Sequence, residues 1–260
     1  MIDSVRALTY TVLVETQLEL ALNCGLLNHR LYREESTIGY GSVRFMSTRL
    51  ETKDYATVVR ERHSVRHYDS SVTIPREELK EMLAEASLAP SSSNTQTWRF
   101  LIIDEPEAKQ RLLPIANNQK QVVEAAATIA VLGDLNGYRE LGRINDMAVK
   151  AGYMPEDFAK QYTETAMKLY AALPPEKLRS VVQIDGGLVS MQFMLTAKSR
   201  GYDTVPMGGF DPAKLVQEFR IPDHLLPIML IAVGKAATPG RLTVRLPIED
   251  ITFWNGMNKS

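Results

Sequence analysis

The stretch that decides the fold begins with Arg62-His63-Ser64-Val65-Arg66 and ends with Ala89-Pro90-Ser91-Ser92-Ser93-Asn94-Thr95-Gln96-Thr97-Trp98-Arg99-Phe100, just before Ile103. Two arginines and a serine at alternate positions suit a phosphate group, because guanidinium groups bind phosphate oxygens in pairs. The cluster of serine, asparagine and glutamine follows an amphipathic helix and leads into an apolar strand, which is where folds of helices and strands commonly place ligand groups. The stretch therefore predicts an anion site and a polar ligand-binding loop.

The composition is that of an ordinary globular protein. Of the 260 residues, 45% are hydrophobic and 23% are charged, and the formal net charge is −1. This balance gives no electrostatic argument for binding nucleic acid or an anionic membrane. The single cysteine, Cys24, excludes an intrachain disulfide, and no apolar run reaches the roughly 20 residues of a spanning helix. We therefore expect a cytoplasmic protein with no signal peptide, no nucleic-acid partner and no membrane association.

Helices and strands alternate along the chain, with helices in excess. Apolar spacing and capping residues predict helices at residues 55–62, from residue 73 onward, 181–200 and 211–219. Apolar runs predict strands at residues 99–104, 127–133 and 226–234, of which the second is apolar enough to be central. The side chains that the long helix makes available for burial are Ile184, Leu188, Met191, Leu195 and Ala197.

The chain divides into two parts of different character. Residues 49–260 are expected to form one domain, since they contain no internal repeat, low-complexity run or linker. Residues 1–48 form either an N-terminal extension of unknown role or sequence that precedes a start codon assigned too far upstream.

Arg62, Ser64 and Arg66 have two alternative arrangements. In an extended segment the three side chains lie on one face, because side chains alternate with a period of two, and they can then surround a phosphate. In a helix the arginines align while Ser64 points elsewhere, and the segment is a solvated helix end. His63 and His67 are spaced for a metal on a helix, but without a convincing third ligand a structural or surface role is favoured.

Three further elements are polar or rich in glycine. The run Ser91–Gln96 offers hydrogen bonds to a heterocycle or to a chain of hydroxyls, or else forms a turn. The run Asn117-Asn118-Gln119-Lys120-Gln121 has the same character and is otherwise a surface loop. The run Pro206-Met207-Gly208-Gly209-Phe210 allows a flat ring to approach, or is a tight turn before a helix that Asp211 caps. The chain has no G-x-G-x-x-G, H-E-x-x-H or G-x-S-x-G motif, which argues against a stable NAD-binding subdomain, a zinc hydrolase and a serine esterase.

The order of these elements carries a resemblance. The segment R-H-S-x-R followed by A-P-S-S-x-N-x-Q-x-W is similar to the FMN-dependent nitroreductase family of NAD(P)H-dependent oxidoreductases, over roughly residues 55–255. The resemblance implies an α+β fold, a nitroreductase-like three-layer sandwich whose central mixed, mostly antiparallel sheet is flanked by helices. It also implies an intertwined homodimer with FMN at the subunit interface and extended tails that embrace the partner.

Carried over position by position, the resemblance implies a set of FMN contacts. Contacts around the phosphate and ribityl chain fall on Arg62, His63, Ser64, Arg66, Lys235 and Arg245. Contacts lent by the partner subunit fall on Ser91, Ser92, Asn94 and Gln96. Contacts to the pyrimidine edge fall on Asn118 and Gln121, with Asn117 and Lys120 as alternatives. The loop that faces flavin N5 comprises Met207, Gly208 and Gly209.

The resemblance also implies the reaction. FMN would carry the chemistry, so no protein residue is assigned a catalytic role and no metal is required. NADH or NADPH would act as a transient donor and leave before a nitroaromatic, quinone or similar acceptor binds, in a two-step ping-pong mechanism. The alternatives are reductive dehalogenation, flavin breakdown or dehydrogenation during peptide maturation on the same fold, or a flavin-binding regulator without turnover. Two departures from the family pattern are Gly208, where some members carry an acid, and Thr97, where a proline is usual.

Overall fold

The computed structural model of the protein describes residues 54–257, and the expectation about residues 1–48 lies outside them. The helices of the described residues are α1 Tyr55–Glu61, α2 Arg76–Ala86, α3 Pro106–Ile115, α4 Gln121–Glu124, α5 Leu141–Lys150, α6 Glu156–Ala171, α7 Pro175–Ser199, α8 Pro212–Phe219 and α9 Ile248–Ile251. The strands are β1 Trp98–Ile103, β2 Ala127–Asp134, β3 Asp203–Met207 and β4 Leu225–Gly234. Short 3₁₀ turns lie at Ser92–Asn94 and Gly137–Glu140.

The strands form one antiparallel sheet in the order β1-β2-β4-β3. At one end of the sheet Trp98 pairs with Gly133, and at the other end Asp203 pairs with Gly234. A parallel bridge between Ser64 and Thr204 lies on the outer side of β3. This bridge gives an otherwise antiparallel sheet its parallel component, so the predicted mixed, mostly antiparallel sheet is confirmed.

Helices cover both faces of the sheet. One face packs against α2 and α7, whose buried side chains include Leu79, Met82 and Phe193. The other face packs against α3, α4 and α8, where Leu112 and Leu215 are fully buried. All eight residues of β2 are buried, as expected for a central strand. The result is the three-layer α+β sandwich that the resemblance implied.

The buried face of α7 differs from the expected one. Ile184, Leu188 and Met191 are 64%, 42% and 42% exposed in the single chain, whereas Ala197 is buried as expected. The helix instead buries a face that includes Gly186, Val189 and Phe193, and it approaches β4 so closely at Gly186 that a Cβ there would lie 2.4 Å from Cδ1 of Ile228. Because α7 carries apolar residues on more than one face, their spacing alone did not identify the face that meets the sheet.

Strand β3 was not predicted. Its five residues include Pro206, which lacks an N–H donor and is therefore tolerated at the edge of a sheet. The helix predicted from residue 73 onward begins at Arg76 instead, directly after Pro75 and without a side-chain cap. Two other signals of helix ends are confirmed. Asp211 caps α8 by accepting a hydrogen bond from the Lys214 N–H, and Gly201, with a φ of 77°, follows the end of α7. None of the helices in the described range is long and apolar enough to cross a membrane.

Candidate functional site

The arginine segment, residues 62–66, is extended along the outer edge of β3. The Val65 N–H donates to the Thr204 carbonyl at 3.1 Å, and Val65 is 2% exposed. Since side chains alternate along an extended chain, Val65 points into the core while Ser64 and Arg66 point away from it. The extended alternative is therefore the one that the chain adopts. Within residues 54–257 the guanidinium groups of Arg62 and Arg66 have no hydrogen-bond or ion-pair partner.

The histidines of this region have separate surroundings. His63 is half-buried, and a Cβ on Gly240 would lie 2.7 Å from the His63 Cβ, so the chain after β4 packs closely against it. His67 is exposed, with Nδ1 3.6 Å from Oε2 of Glu124. The structure thus places His63 beside Ser64 on the inner side of the C-terminal segment, and His67 on the surface.

The glycine loop, residues 207–209, meets the amide cluster, residues 117–121. Nδ2 of Asn117 and Nε2 of Gln119 both donate to the Gly209 carbonyl, at 2.9 Å and 2.8 Å. Gln121 is buried, and its Nε2 donates to Oε1 of Gln119 at 3.0 Å and lies 3.3 Å from Sδ of Met207. Two elements about 90 residues apart in sequence therefore form one polar surface at the end of β3.

The residues of the amide cluster differ in backbone conformation and in exposure to solvent. Asn117 and Asn118 have φ values of 54° and 55°, a left-handed turn that asparagine tolerates. Asn118 is exposed, whereas Gln121 is buried. Gln119 was not predicted as a site residue, although it links Gln121 to Gly209. Its position in the predicted polar run was the available signal.

The polar loop, residues 91–97, is tightly held in an unusual conformation. Ser93, Asn94 and Gln96 have φ values of 52°, 56° and 47°, which non-glycine residues rarely adopt. The Gln96 N–H donates to Oγ of Ser91 at 3.0 Å, and Nε2 of Gln96 donates to Oδ1 of Asn94 at 3.2 Å. Such strain, about 1–3 kcal/mol per residue, persists only where surrounding groups fix the backbone.

Three side chains outside the loop fix it. The Asp185 carboxylate of α7 accepts from the Ser92 N–H at 3.0 Å and from the Thr97 hydroxyl at 3.3 Å. The Arg99 guanidinium donates to the Gln96 carbonyl at 3.1 Å, and the Tyr170 hydroxyl donates to Oγ of Ser93 at 3.2 Å. Burial raises the pKa of the Asp185 carboxyl above its usual value, while the hydrogen bonds from Ser92 and Thr97 partly oppose this effect. None of the three side chains was singled out from the sequence, because their roles depend on packing between distant segments.

Within one chain the polar loop and the arginine segment are far apart. The loop leads into Trp98 of β1, which pairs with Gly133 of β2, and Gly133 in turn pairs with Leu226 of β4. Ser64 pairs with Thr204 of β3, which pairs with Val233 of β4. Seven residues separate these two points of β4, or about 23 Å, and the four strand spacings from β1 to the arginine segment outside β3 add about 19 Å across the sheet. The two ends of the stretch that opened the sequence thus lie at opposite corners of the sheet.

The two late cations also lie in different surroundings. Nζ of Lys235 donates to the Gly201 carbonyl and lies 4.4 Å from the centre of the Tyr202 ring, so its charge is engaged within the fold. Arg245 is exposed in the C-terminal segment, where its guanidinium donates to Oγ1 of Thr243 at 2.7 Å and to the Val244 carbonyl. Both of these partners lie in the C-terminal segment itself.

A groove of about 470 Å³ lies elsewhere, between α5 and α6. Its lining includes Asp146, Lys150, Glu156, Lys160 and Glu164. None of the site residues predicted from the sequence lines it. The groove is therefore separate from the candidate site.

Together these features define an α+β protein with a three-layer sandwich and polar ligand elements at opposite corners of its sheet. The chain belongs to the nitroreductase family, whose sequence profile matches residues 59–235. The family resemblance and the fold class are both confirmed.

Individual relatives agree with this assignment. The chain is 44% identical over 207 residues to YdgI of Bacillus subtilis, a provisionally named NAD(P)H nitroreductase, covering 79% of this chain and 99% of the relative. It is 35% identical over 199 residues to the CLA biosynthesis enone reductase of Lactiplantibacillus plantarum, covering 75% and 92%. Among solved structures, an FMN complex of a nitroreductase-type protein from Exiguobacterium sibiricum is 43% identical with a TM-score of 0.76, covering 78% and 98%.

Proposed function

We propose that this protein is an FMN-dependent oxidoreductase that transfers electrons from NADH or NADPH to small acceptors such as nitroaromatics and quinones. The observation that carries the proposal is the convergence of the glycine loop and the amide cluster next to the arginine segment. The segment pairs with β3 at Thr204, and the glycine loop begins at Met207, so about 10 Å of strand separates them. The structure of a relative in complex with FMN and the relatives named NAD(P)H nitroreductases support the same assignment.

The residues present fit FMN. Its phosphate is a dianion, and Arg62 and Arg66 are two cations with no partner among the described residues. Its ring has a polar edge with both donors and acceptors, which the amides of the cluster can match. No atom of the described residues lies within 4 Å of a Cβ built on Gly208, so a flat ring can approach the backbone there.

In this proposal the protein positions and tunes the cofactor. Bound FMN supplies the hydride and electron-transfer chemistry. Arg62, Ser64 and Arg66 hold the phosphate end, and the amides of Asn118 and Gln121 orient the polar edge of the ring. A backbone N–H of the glycine loop donates a hydrogen bond at the reactive edge of the ring.

The proposed reaction proceeds in two half-reactions at one site. NAD(P)H would bind, give up a hydride and leave as NAD(P)⁺, and the acceptor would then bind in the same position and take up the two electrons together with protons. One feature of the sequence and one of the structure support this order. The chain has no G-x-G-x-x-G motif for stable dinucleotide binding, and an open glycine loop permits transient stacking of a second ring.

A homodimer is part of the proposal. If the arginine segment and the polar loop both contact FMN, they must come from different subunits, because about 23 Å along the sheet and about 19 Å across it separate them in one chain. The exposed side chains of Ile184, Leu188 and Met191 on α7 and of Leu242 and Val244 in the C-terminal segment support this assembly, because they leave apolar surface for a partner to cover.

The proposal is tested by following flavin absorbance under anaerobic conditions. Purified protein saturated with FMN is titrated with NADH and, separately, with NADPH, and an acceptor is then added. We expect bleaching by at least one donor and recovery of the absorbance with a quinone or a nitroaromatic. Protein that cannot be reconstituted with FMN would sink the proposal, and bound FMN that neither donor bleaches would favour the regulator without turnover.

A second acceptor class belongs in the same assay. The relative from Lactiplantibacillus plantarum is named an enone reductase, so a carbon–carbon double bond conjugated to a carbonyl is a candidate acceptor for this chain. Recovery of the absorbance with an enone and not with a quinone or nitroaromatic would assign the chain to that chemistry.

Gly208→Ala is expected to leave the fold intact and to weaken FMN binding. The added methyl group meets open space in the chain itself, so the melting temperature should change little. A ring lying against the loop would meet the methyl group, at a cost of about 1–3 kcal/mol, or roughly five- to 150-fold in affinity. The measurements are FMN titration by fluorescence quenching and thermal unfolding without FMN.

The matched control is Gly142→Ala in α5. A Cβ there meets Thr163 at an ordinary 3.9 Å, away from the predicted site residues. This variant should bind FMN as the unsubstituted protein does. Equal FMN affinity in both variants would contradict the placement of the ring at the glycine loop.

A further inference from the structure

Asp185 is a buried carboxylate for which hydrophobic packing gives no reason. It is 1% exposed, in the middle of α7, on the face that packs against the sheet. Burying an acid is unfavourable unless hydrogen bonds compensate, and replacing a buried charge with an apolar side chain often stabilises a protein. The position therefore calls for an explanation other than stability.

The partners of Asp185 supply that explanation. One carboxylate oxygen accepts from the Ser92 N–H and the other lies 3.3 Å from the Thr97 hydroxyl, which donates to it. Ser92 and Thr97 lie on either side of the three left-handed residues, Ser93, Asn94 and Gln96. A single side chain thus ties both ends of the strained part of the polar loop to one point of a rigid helix.

We propose that Asp185 is a positioning residue that holds the polar loop in the conformation that contacts FMN in the partner subunit's site. This inference rests on the proposed function. Fixing the loop in advance means that ordering it costs no binding free energy when FMN arrives. Ser91, Ser92 and Asn94 then face the cofactor in a fixed geometry, and misplacement of such groups by about 1 Å is enough for large losses.

The test compares four variants by three measurements: hydrogen exchange, FMN affinity and melting temperature. Asp185→Ala removes both anchors, and Asp185→Asn keeps an acceptor of the same shape for the Ser92 N–H. Thr97→Val removes only the second anchor. Ser190→Ala is the control: its buried hydroxyl on the same helix donates to the Gly186 carbonyl at 2.6 Å and does not contact the loop. Hydrogen exchange of the amides of residues 92–97 is measured without FMN, and FMN affinity by titration.

Asp185→Ala should speed exchange at Ser92 and Gln96 and weaken FMN binding by about tenfold or more. Asp185→Asn should recover most of the affinity, Thr97→Val should lie between, and Ser190→Ala should lower the melting temperature without changing FMN affinity. The inference is overturned if Asp185→Ala binds FMN normally, or if Ser190→Ala loses affinity in proportion to its loss of stability. Should Asp185→Ala not fold, unchanged loop exchange and affinity in Thr97→Val would overturn it.

The two proposals fail in different ways. An unsubstituted protein that binds no FMN sinks the proposed function, while the exchange comparison still decides whether Asp185 holds the loop. If the unsubstituted protein binds FMN and the Asp185 variants show unchanged loop exchange, only the proposed role of Asp185 is contradicted.

Discussion

Mixing a subunit that lacks the arginines with a subunit that lacks the polar side chains of the loop is expected to restore FMN binding. The first subunit carries Arg62→Ala with Arg66→Ala. The second carries Ser92→Ala with Asn94→Gly, since glycine tolerates the φ of 56° at Asn94. Each homodimer has two defective sites and should lose FMN on gel filtration. In the mixed dimer one site combines both defects and the other is intact, so about one FMN per two subunits should be retained.

The physical reason is the distance between the two elements. About 23 Å of strand and about 19 Å of sheet width lie between them, so a single chain cannot place both around one FMN. If each site were instead built within one chain, every site of the mixed dimer would carry a defect and no FMN would be recovered. The measurement is the ratio of flavin to protein absorbance after co-expression with two affinity tags and tandem purification.

Two controls accompany this experiment. A mixed dimer of two unsubstituted subunits with the same tags should retain about two FMN per dimer, and each tagged variant homodimer should retain almost none. Analytical ultracentrifugation should give the same dimer for all samples. Variants that dissociate would show that the substitutions act on assembly, and only samples that remain dimeric bear on the shared site.

Much of the fold follows from local sequence rules. The helix expected from residue 73 onward forms as α2, with Leu79, Met82 and Leu83 buried at helical spacing, and β2 is central as its unbroken apolar run predicts. The extended form of the arginine segment was one of two alternatives that the sequence allowed. Burial of Val65 and its hydrogen bond to Thr204 decide between them, and both come from the tertiary fold.

The features that sequence reasoning missed share a physical cause. Strand β3 is short and contains Pro206, so its strand signal is weak, and it becomes a strand because β4 offers a free edge. The exposed face of α7 could not be distinguished by spacing because apolar residues occur around the helix. Gln119 and Asp185 gain their roles only when segments about 90 residues apart meet. The identity of one residue does not indicate which distant segment it will contact. A run of polar residues is visible in the sequence, and those runs were predicted.

Arg66→Ala is expected to weaken FMN binding by about ten- to a hundredfold while leaving the fold nearly unchanged. Arg66 is exposed and has no hydrogen-bond or ion-pair partner among residues 54–257, so its loss should change the free energy of unfolding by less than about 0.5 kcal/mol. A hydrogen bond between charged groups contributes about 1.5–3 kcal/mol, which corresponds to the stated change in affinity. FMN titration and chemical unfolding of the protein without FMN measure the two quantities.

Two further variants test whether the effect comes from the guanidinium group at this position. Arg66→Lys keeps the positive charge but loses the planar pair of donors, so its affinity should fall between that of Arg66→Ala and that of the unsubstituted protein. Arg179→Ala removes an equally exposed arginine from the first turns of α7 and should bind FMN normally. If Arg66→Ala and Arg179→Ala weaken binding equally, the effect is one of overall charge, and the phosphate does not lie at the arginine segment. If Arg66→Ala loses stability along with affinity, the residue stabilises the fold, and the assignment of its guanidinium to the FMN phosphate is contradicted.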